Sequence, residues 1–345
     1  MPSISTGASA RITGIVDVAA LLAELPDADP VAAAAAAARE PQLTKPLGAL
    51  GRLEALAIWM ASWQGRHPPR AERLRAIVFA GNHGVAGRGV SAFPAEVTAQ
   101  MVANFAAGGA AINQLCRAFE VDLDVHPLDL AHPTGDIAVA PAMDEAAFAA
   151  AFAAGFAAVT ADPPDLLCLG EMGIANTTAA AALCHGLFGG TAAAWCGPGT
   201  GLDEAAVARK AAVVATAVTR HADASGPLDL LRRLGGRELA AIAGAVIAAR
   251  HRRVPVILDG FVCTAAAAPL QAARADALDH CLVGHVSTEP GHRRLLERLG
   301  KPPLLALDMR LGEASGAVLA AAIVKAAIAC HAGMATFAEA GVASR

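Results

Sequence analysis

Glutamates set among glycines at the ends of apolar runs are the residues best placed to do chemistry in this chain. Glu171 lies in GEMGIANTT, residues 170–178, and Glu313 in RLGEASG, residues 310–316. Each precedes an alanine-rich or apolar stretch of helical character. Asn176, Thr177 and Thr178 suit the N-cap of the first such helix, but capping does not account for Glu171. Glu313 has two open readings. It is either a first-turn carboxylate that complements the helix dipole or a general base in a partly apolar crevice.

A third segment, GPGTGLD at residues 197–203, has the composition of an anion-binding turn. Gly199, Thr200 and Gly201 let backbone N–H groups approach a phosphate, and the helix N-terminus that follows favours negative charge. An ordinary glycine turn with acidic capping by Asp203 is the competing reading. Lys210 lies seven residues after Asp203 and therefore on nearly the same helix face. It either neutralises a phosphate or is a solvated surface lysine.

Other anion and metal motifs are missing. The chain has no G-x-x-x-x-G-K-[ST] segment, so it has no P-loop. Residues 87–92, GRGVSA, match G-x-G-x-x-A, but they begin well past an apolar run and lead into Pro94, which makes the match fortuitous. Cysteine and histidine neighbours such as Cys184 and His185, or Cys330 and His331, lack metal-ligand spacing and suit interior positions. The seven cysteines, none in a C-x-x-C pair, read as reduced structural thiols. No metal and no cofactor are expected.

These segments need a scaffold that gathers them. Apolar runs at residues 77–80, 166–169, 193–196, 256–258, 281–283 and 304–307 each end in a glycine-rich or polar turn, and alanine-rich helices separate them. A further strand is expected within residues 121–128. Short apolar runs without alternation suit strands buried on both faces. Their alternation with helices implies a parallel sheet with right-handed crossovers. The fold expected is α/β, a doubly wound and mostly parallel, Rossmann-like sheet. Residues 61–315 form the α/β catalytic domain, and residues 1–60 and 316–345 a small helical domain built from both termini. Asn82, His83, Glu171, Asn176, Asp259, Ser287, Glu289 and Glu313 all follow strand ends, where open parallel sheets bind ligands. They converge on one crevice, which favours an enzyme or small-molecule binder.

Composition bounds the partners. The chain of 345 residues is 55% hydrophobic and 17% charged, enough for a large core. A formal charge of −4, with 4% aromatics and no tyrosine, lacks the basic and stacking surfaces of a nucleic-acid binder. Mean hydropathy is +0.46, largely from alanine. The longest uncharged stretch, residues 172–202, is broken by Asn176, His185, Pro198 and several glycines, so no membrane span is expected. Asp17 interrupts the first apolar run, and no signal-peptide pattern precedes it. A soluble cytoplasmic protein is expected.

Taken in order, LTKPLGALGRLE, GNHGV with SAFPAEVTAQMVANFAAGGAAINQL, GEMGIANTT, GPGTGLD, LDGFVCTAAA, GHVSTEPGH and RLGEASG resemble the nicotinate-nucleotide–dimethylbenzimidazole phosphoribosyltransferases. The resemblance spans residues 43–316. It implies a homodimer that moves the ribosyl phosphate of nicotinate mononucleotide to a nitrogen of 5,6-dimethylbenzimidazole or a related base. Nicotinate leaves, and α-ribazole 5′-phosphate forms for the lower ligand of cobalamin. Carried over by motif, Glu313 is the general base and Glu171 lies near the ribose and reaction centre. Gly173 to Thr178, Gly199 to Leu202, Lys210 and Ser287 hold the nucleotide and its phosphate. Phe93, Gln100 and Leu311 line the base pocket, and Asp259 joins the substrate-binding set.

The chain departs from the family pattern at Asn82, where aspartate is usual, at Ala175, where glycine is usual, and at Pro198, where arginine is usual. Its N-terminal signature reads KPLGALG in place of KPPGSLG. These departures bear on fine specificity more than on the reaction class. Two other classes fit less well. An NAD-dependent oxidoreductase would carry the dinucleotide fingerprint, and a non-catalytic binding protein would have no use for both Glu171 and Glu313.

Overall fold

The computed structural model describes residues 12–343; the first eleven and last two residues of the expected terminal domain lie outside the described residues. Apolar, largely unalternating segments form β1 (Leu74–Ala80), β2 (Val121–Pro127), β3 (Leu166–Met172), β4 (Val256–Leu258), β5 (Cys281–His285) and β6 (Pro303–Leu305). They pair in the order β2-β1-β3-β4-β5-β6, every pair parallel. The order reverses between β1 and β3, which creates a switch-point crevice at their carboxyl ends.

Helices supply the crossovers. Before the sheet come α1 (Ile15–Ala23), α2 (Pro30–Arg39) and α3 (Arg52–Gln64). Next are α4 (Glu96–Ala107), α5 (Ala111–Phe119), α6 (Glu145–Thr160), α7 (Asn176–Phe188), α8 (Glu204–Arg220), α9 (Pro227–Leu234) and α10 (Arg237–His251). The chain continues through α11 (Phe261–Ala273), α12 (Pro290–Leu299), α13 (Ser315–Gly333) and the single turn α14 (Phe337–Ala340).

Side-chain alternation along each strand divides the core into two. Ile77, Phe79, Leu167, Leu169, Val256 and Leu258 face one cluster, filled by Phe148 and Phe152 of α6 and by the buried faces of α7, α10 and α11. Ala76, Val78, Leu166, Cys168 and Ile257 face the other, filled from α3, α5 and α13. Six of the seven cysteines are buried, and all are free.

Both ends of the chain meet around α3 and α13, which pack on each other. Arg39 donates to the carbonyls of His331 and Met334, and His331 Nδ1 lies 2.6 Å from Glu40 Oε1. Lys45, in the KPLGALG signature, is buried between Glu40 at 2.9 Å and Glu54 at 2.7 Å. The signature is therefore an internal staple of the terminal segments. By contrast, α1 packs toward α9 and the other core. Helix α13 is long and apolar enough to cross a membrane by length and composition, but half of it is buried inside this fold.

One expected strand is absent. Residues 192–195 form a 3-10 helix, with Trp195 Nε1 donating to Gly189 O at 2.8 Å. Three consecutive alanines offer no β-branched side chain to a pleated neighbour, and the indole tether curls the segment instead. The glycine turn at 197–201 thus follows a helical turn. The last strand also stops at Leu305, two residues short of the expected 307.

Candidate active site

The carboxyl ends of β3, β4 and β5 open into a cleft. It is lined by Glu171, Gly173, Asn176, Thr177, Gly199, Thr200, Gly260, Phe261, His285, Ser287, Glu289, Arg310, Leu311 and Gly312, among others. An adjoining recess shares the 173–177 and 199–200 walls and extends to Val90, Ser91, Pro198 and Leu202. Segments remote in sequence therefore meet where the strand ends bring them.

Glu171 is the penultimate residue of β3, inside the strand rather than after it. It is nearly buried, and Asn176 Nδ2 donates to its Oε2. Burial, reinforced by the negative charges of Asp259 and Glu238, pushes its carboxyl well above the usual range. Asn176 thus serves the carboxylate rather than the helix cap. The N-cap position of α7 belongs to Ala175, held in the left-handed region at φ 72°, a conformation that favours glycine. The turn is tied down by Ile174 N, which donates to Thr98 Oγ1 of α4 at 3.1 Å.

Glu313 occupies a left-handed run, with φ 85° at Gly312, 62° at Glu313 and 62° at Ala314. Non-glycine residues in this region cost of order 1–3 kcal/mol each and cluster at functional sites. Close packing enforces the run. A side chain at Gly170 of β3 would collide with the Ala314 backbone, and one at Gly312 would meet the Glu171 carboxylate. Glu313 is 5% exposed, and burial raises its carboxyl to about 7. Among the described residues its side chain makes no hydrogen bond, which leaves both oxygens free to accept a proton.

Asp259, at the end of β4, lies fully buried beneath the cleft. Its Oδ1 accepts from Ala317 N at 2.9 Å, in the first turn of α13. Burial pushes its carboxyl up to about 7, against the backbone N–H groups of the same turn. His285 Nδ1 is 3.6 Å from Asp259 Oδ1, and His285 lines the cleft. Next to it, His292 Nδ1 accepts from Ser287 N at 2.9 Å, and burial holds its imidazole down to about 3. Ser287 is thus fixed by a neutral histidine.

Lys210 is 1% exposed, so the surface-lysine reading fails. Its Nζ donates to Thr177 Oγ1 at 2.8 Å and to Gly197 O at 3.3 Å, and burial lowers its pKa. Gly199 is held on both sides. Its N–H donates to Glu289 Oε1 at 2.8 Å, and its carbonyl accepts from Arg310 Nη1 at 2.6 Å. The N–H groups of Gly201 and Leu202 turn back to Pro198 O. These are internal bonds of the turn. The amides of Thr200 and Thr177 have no partner among the described residues, so they are the donors open to an anion.

The remaining expected residues fall outside the cleft or at its edge. Phe93 is 48% exposed, Gln100 is exposed on α4, and neither lines the cleft within one chain. Leu311 lines it and is 52% exposed. Thr178 is buried in α7, and Gly201 is exposed at the rim of the turn. Asn82 points its Nδ2 to Leu130 O at 3.0 Å, bracing the end of β1.

Residues given no specific role by the sequence also contribute. Arg310 and His285 stood in the quoted motifs and Glu289 among the strand-end residues, yet only the fold gives them partners. Below the switch point, buried His83 pairs with buried Glu238 at 2.5 Å. Nothing in the sequence around Glu238, the start of an alanine-rich helix, marks it.

A doubly wound parallel sheet whose strand ends combine a carboxyl of raised pKa with a lysine-backed glycine turn has the form of an enzyme site for an anionic small molecule. The phosphoribosyltransferase family model matches residues 25–342. The nicotinate-nucleotide–dimethylbenzimidazole phosphoribosyltransferase of Sinorhizobium medicae is 61% identical over 330 residues, covering 95% of this chain and 97% of the relative. That of Methylorubrum extorquens is 58% identical over 322 residues, covering 93% of this chain and 94% of the relative. The crystal structure of CobT from Thermus thermophilus superposes with a TM-score of 0.85 at 42% identity, covering 92% of this chain and 100% of that one. The chain belongs to the nicotinate-nucleotide–dimethylbenzimidazole phosphoribosyltransferase family.

Proposed function

We propose that the protein transfers the ribosyl phosphate of nicotinate mononucleotide to 5,6-dimethylbenzimidazole or a related base, releasing nicotinate and α-ribazole 5′-phosphate for the lower ligand of cobalamin. The observation that carries this reading, within the family, is Glu313: a nearly buried carboxyl with no bonding partner among the described residues, raised to about 7, directly after the cleft-lining 310–312 segment.

In this reading the azole attacks C1′ through its lone-pair nitrogen, on the face opposite nicotinate. The new C1′–N bond forms as the old one breaks, and the β-glycoside becomes α. The electrons of the broken bond return to the pyridinium nitrogen, so the leaving group departs neutral at that atom without an added proton. Positive charge moves onto the azole, and its N–H proton passes to Glu313. A carboxylate in an apolar setting is worth more there than in water. Glu171 lies near the ribosyl centre, where its buried carboxyl offers hydrogen bonds to the ribose. Asn176 and Asp259 position their neighbours. Lys210, Thr177 and Thr200, with Ser287 at the opposite wall, take the phosphate, and the N-terminus of α7 favours it. Leu311 shields the acceptor side from water. Phe93 and Gln100 join the acceptor pocket in the cytoplasmic homodimer that this reading includes.

Incubation of the protein with nicotinate mononucleotide and dimethylbenzimidazole, with products identified by mass, tests the proposal. α-Ribazole phosphate and nicotinate in equal amounts are expected. Release of nicotinate without the ribazole would make the protein a hydrolase instead.

A further inference from the structure

The phosphate end of the cleft contains a negative charge that the transfer reaction does not require. Glu289 is the N-cap residue of α12 and is only 5% exposed. Its Oε1 accepts from Gly199 N at 2.8 Å, while Oε2 is buried with no hydrogen-bond partner among the described residues. A side chain at Gly197 would collide with that second oxygen, so glycine there is what lets the carboxylate in. Lys210 reaches the same two residues: its Nζ is 3.3 Å from Gly197 O and would be 3.8 Å from a Cβ at Gly199. Turn, lysine and glutamate therefore form one unit around two glycines.

This arrangement has two consequences. The Gly199 amide, a natural phosphate donor, is already occupied by a carboxylate, which holds the turn in its φ 55° conformation before any ligand arrives. The positive charge of Lys210 also lies within the field of the Glu289 carboxylate. A phosphate monoester carrying close to two negative charges enters a site that contains Lys210 and Arg310 against a fixed Glu289, not two free cations.

We propose that Glu289 is a specificity-determining residue of the phosphate end: it clamps the 197–199 turn and keeps a negative charge beside Lys210 that moderates the grip on a phosphate monoester. Its advantage is in turnover. Substrate and product carry the same phosphate, so tighter phosphate binding stabilises ground state, transition state and product alike and slows product release without aiding chemistry.

The proposal rests on the nucleotide reading of the cleft. Equilibrium binding of nicotinate mononucleotide and of nicotinate riboside, which lacks the phosphate, is measured by calorimetry for the full chain, for Glu289→Gln and for Glu289→Ala. The glutamine keeps an acceptor for Gly199 N–H; the alanine removes acceptor and charge together. The ratio of nucleotide to riboside affinity isolates the phosphate from any general loosening of the cleft. It is expected to rise about tenfold in each folded variant, the scale of one nearby like charge in a partly screened site. An unchanged or lower ratio in either folded variant overturns the proposal. Failure of the nucleotide reading shows differently, as no ribazole phosphate from the wild-type protein.

Discussion

Lys210 Nζ donates a 2.8 Å hydrogen bond to Thr177 Oγ1, joining α8 to the first turn of α7 across the glycine turn. The bond brings a cation to the N-terminus of a helix whose Thr177 amide is free, and it does so inside the protein. A desolvated lysine is costly unless an anion or strong acceptors meet it. Here the acceptors are one hydroxyl and one carbonyl, with the Glu289 carboxylate nearby, and the proposed substrate phosphate is a further anion for it.

Removing that cation should therefore act on nucleotide binding. Lys210→Ala is expected to raise KM for nicotinate mononucleotide at least tenfold and to lower kcat much less, because a phosphate contact serves ground state and transition state alike. Steady-state kinetics at saturating dimethylbenzimidazole checks this. An unchanged KM would remove Lys210 from the phosphate site.

Burial raises Glu313 from 4.5 to about 7. Below that pH the group is protonated and cannot accept the azole proton; above it the carboxylate is present. At saturating nucleotide, kcat/KM for the base is expected to rise with unit slope up to about pH 7 and then level. A profile flat between pH 5 and 8 would mean that another group takes the proton.

Asp259 supplies a stability prediction. Its carboxyl rises from 3.8 to about 7 on folding, first through burial. Between those values the folded protein binds more protons than the unfolded one, so stability contributed by this group is full below about pH 4 and is lost as pH rises toward 7. Asp259→Asn removes the charge but keeps an acceptor for Ala317 N–H. Chemical denaturation at several pH values should show a smaller decline in stability from pH 4 to 7 in the variant than in the wild type. Parallel declines would contradict the assignment.

Much of this architecture is legible in the chain because strands buried on both faces appear as short apolar runs, and α/β crossovers leave alanine-rich helices between them. The segment ending at Cys196 shows the limit. Its composition resembles a buried run, but alanines beside an indole tethered to Gly189 curl into a 3-10 turn, and no local pattern reports that tether. Glu171, Glu313 and the glycine turn stand out because glycines flank them for a reason now visible: Gly170 and Gly312 admit the 312–314 run and the Glu171 carboxylate into the same space. The burial of Lys210 and the His83–Glu238 and Glu289–Gly199 pairs depend on residues 13 to 155 positions apart. Such pairings are products of topology, and a single sequence carries no mark of them.

Glu313→Gln separates the proposed base from every other carboxyl of the cleft. Glutamine keeps the size and shape of the side chain in its left-handed turn but cannot accept the proton. With folding verified and nicotinate mononucleotide affinity measured alongside, kcat for α-ribazole phosphate formation is expected to fall roughly 10²–10⁴-fold while nucleotide binding stays close to wild type. Turnover within a few-fold of wild type in the folded variant would mean that Glu313 is not the base and move that role to Glu171.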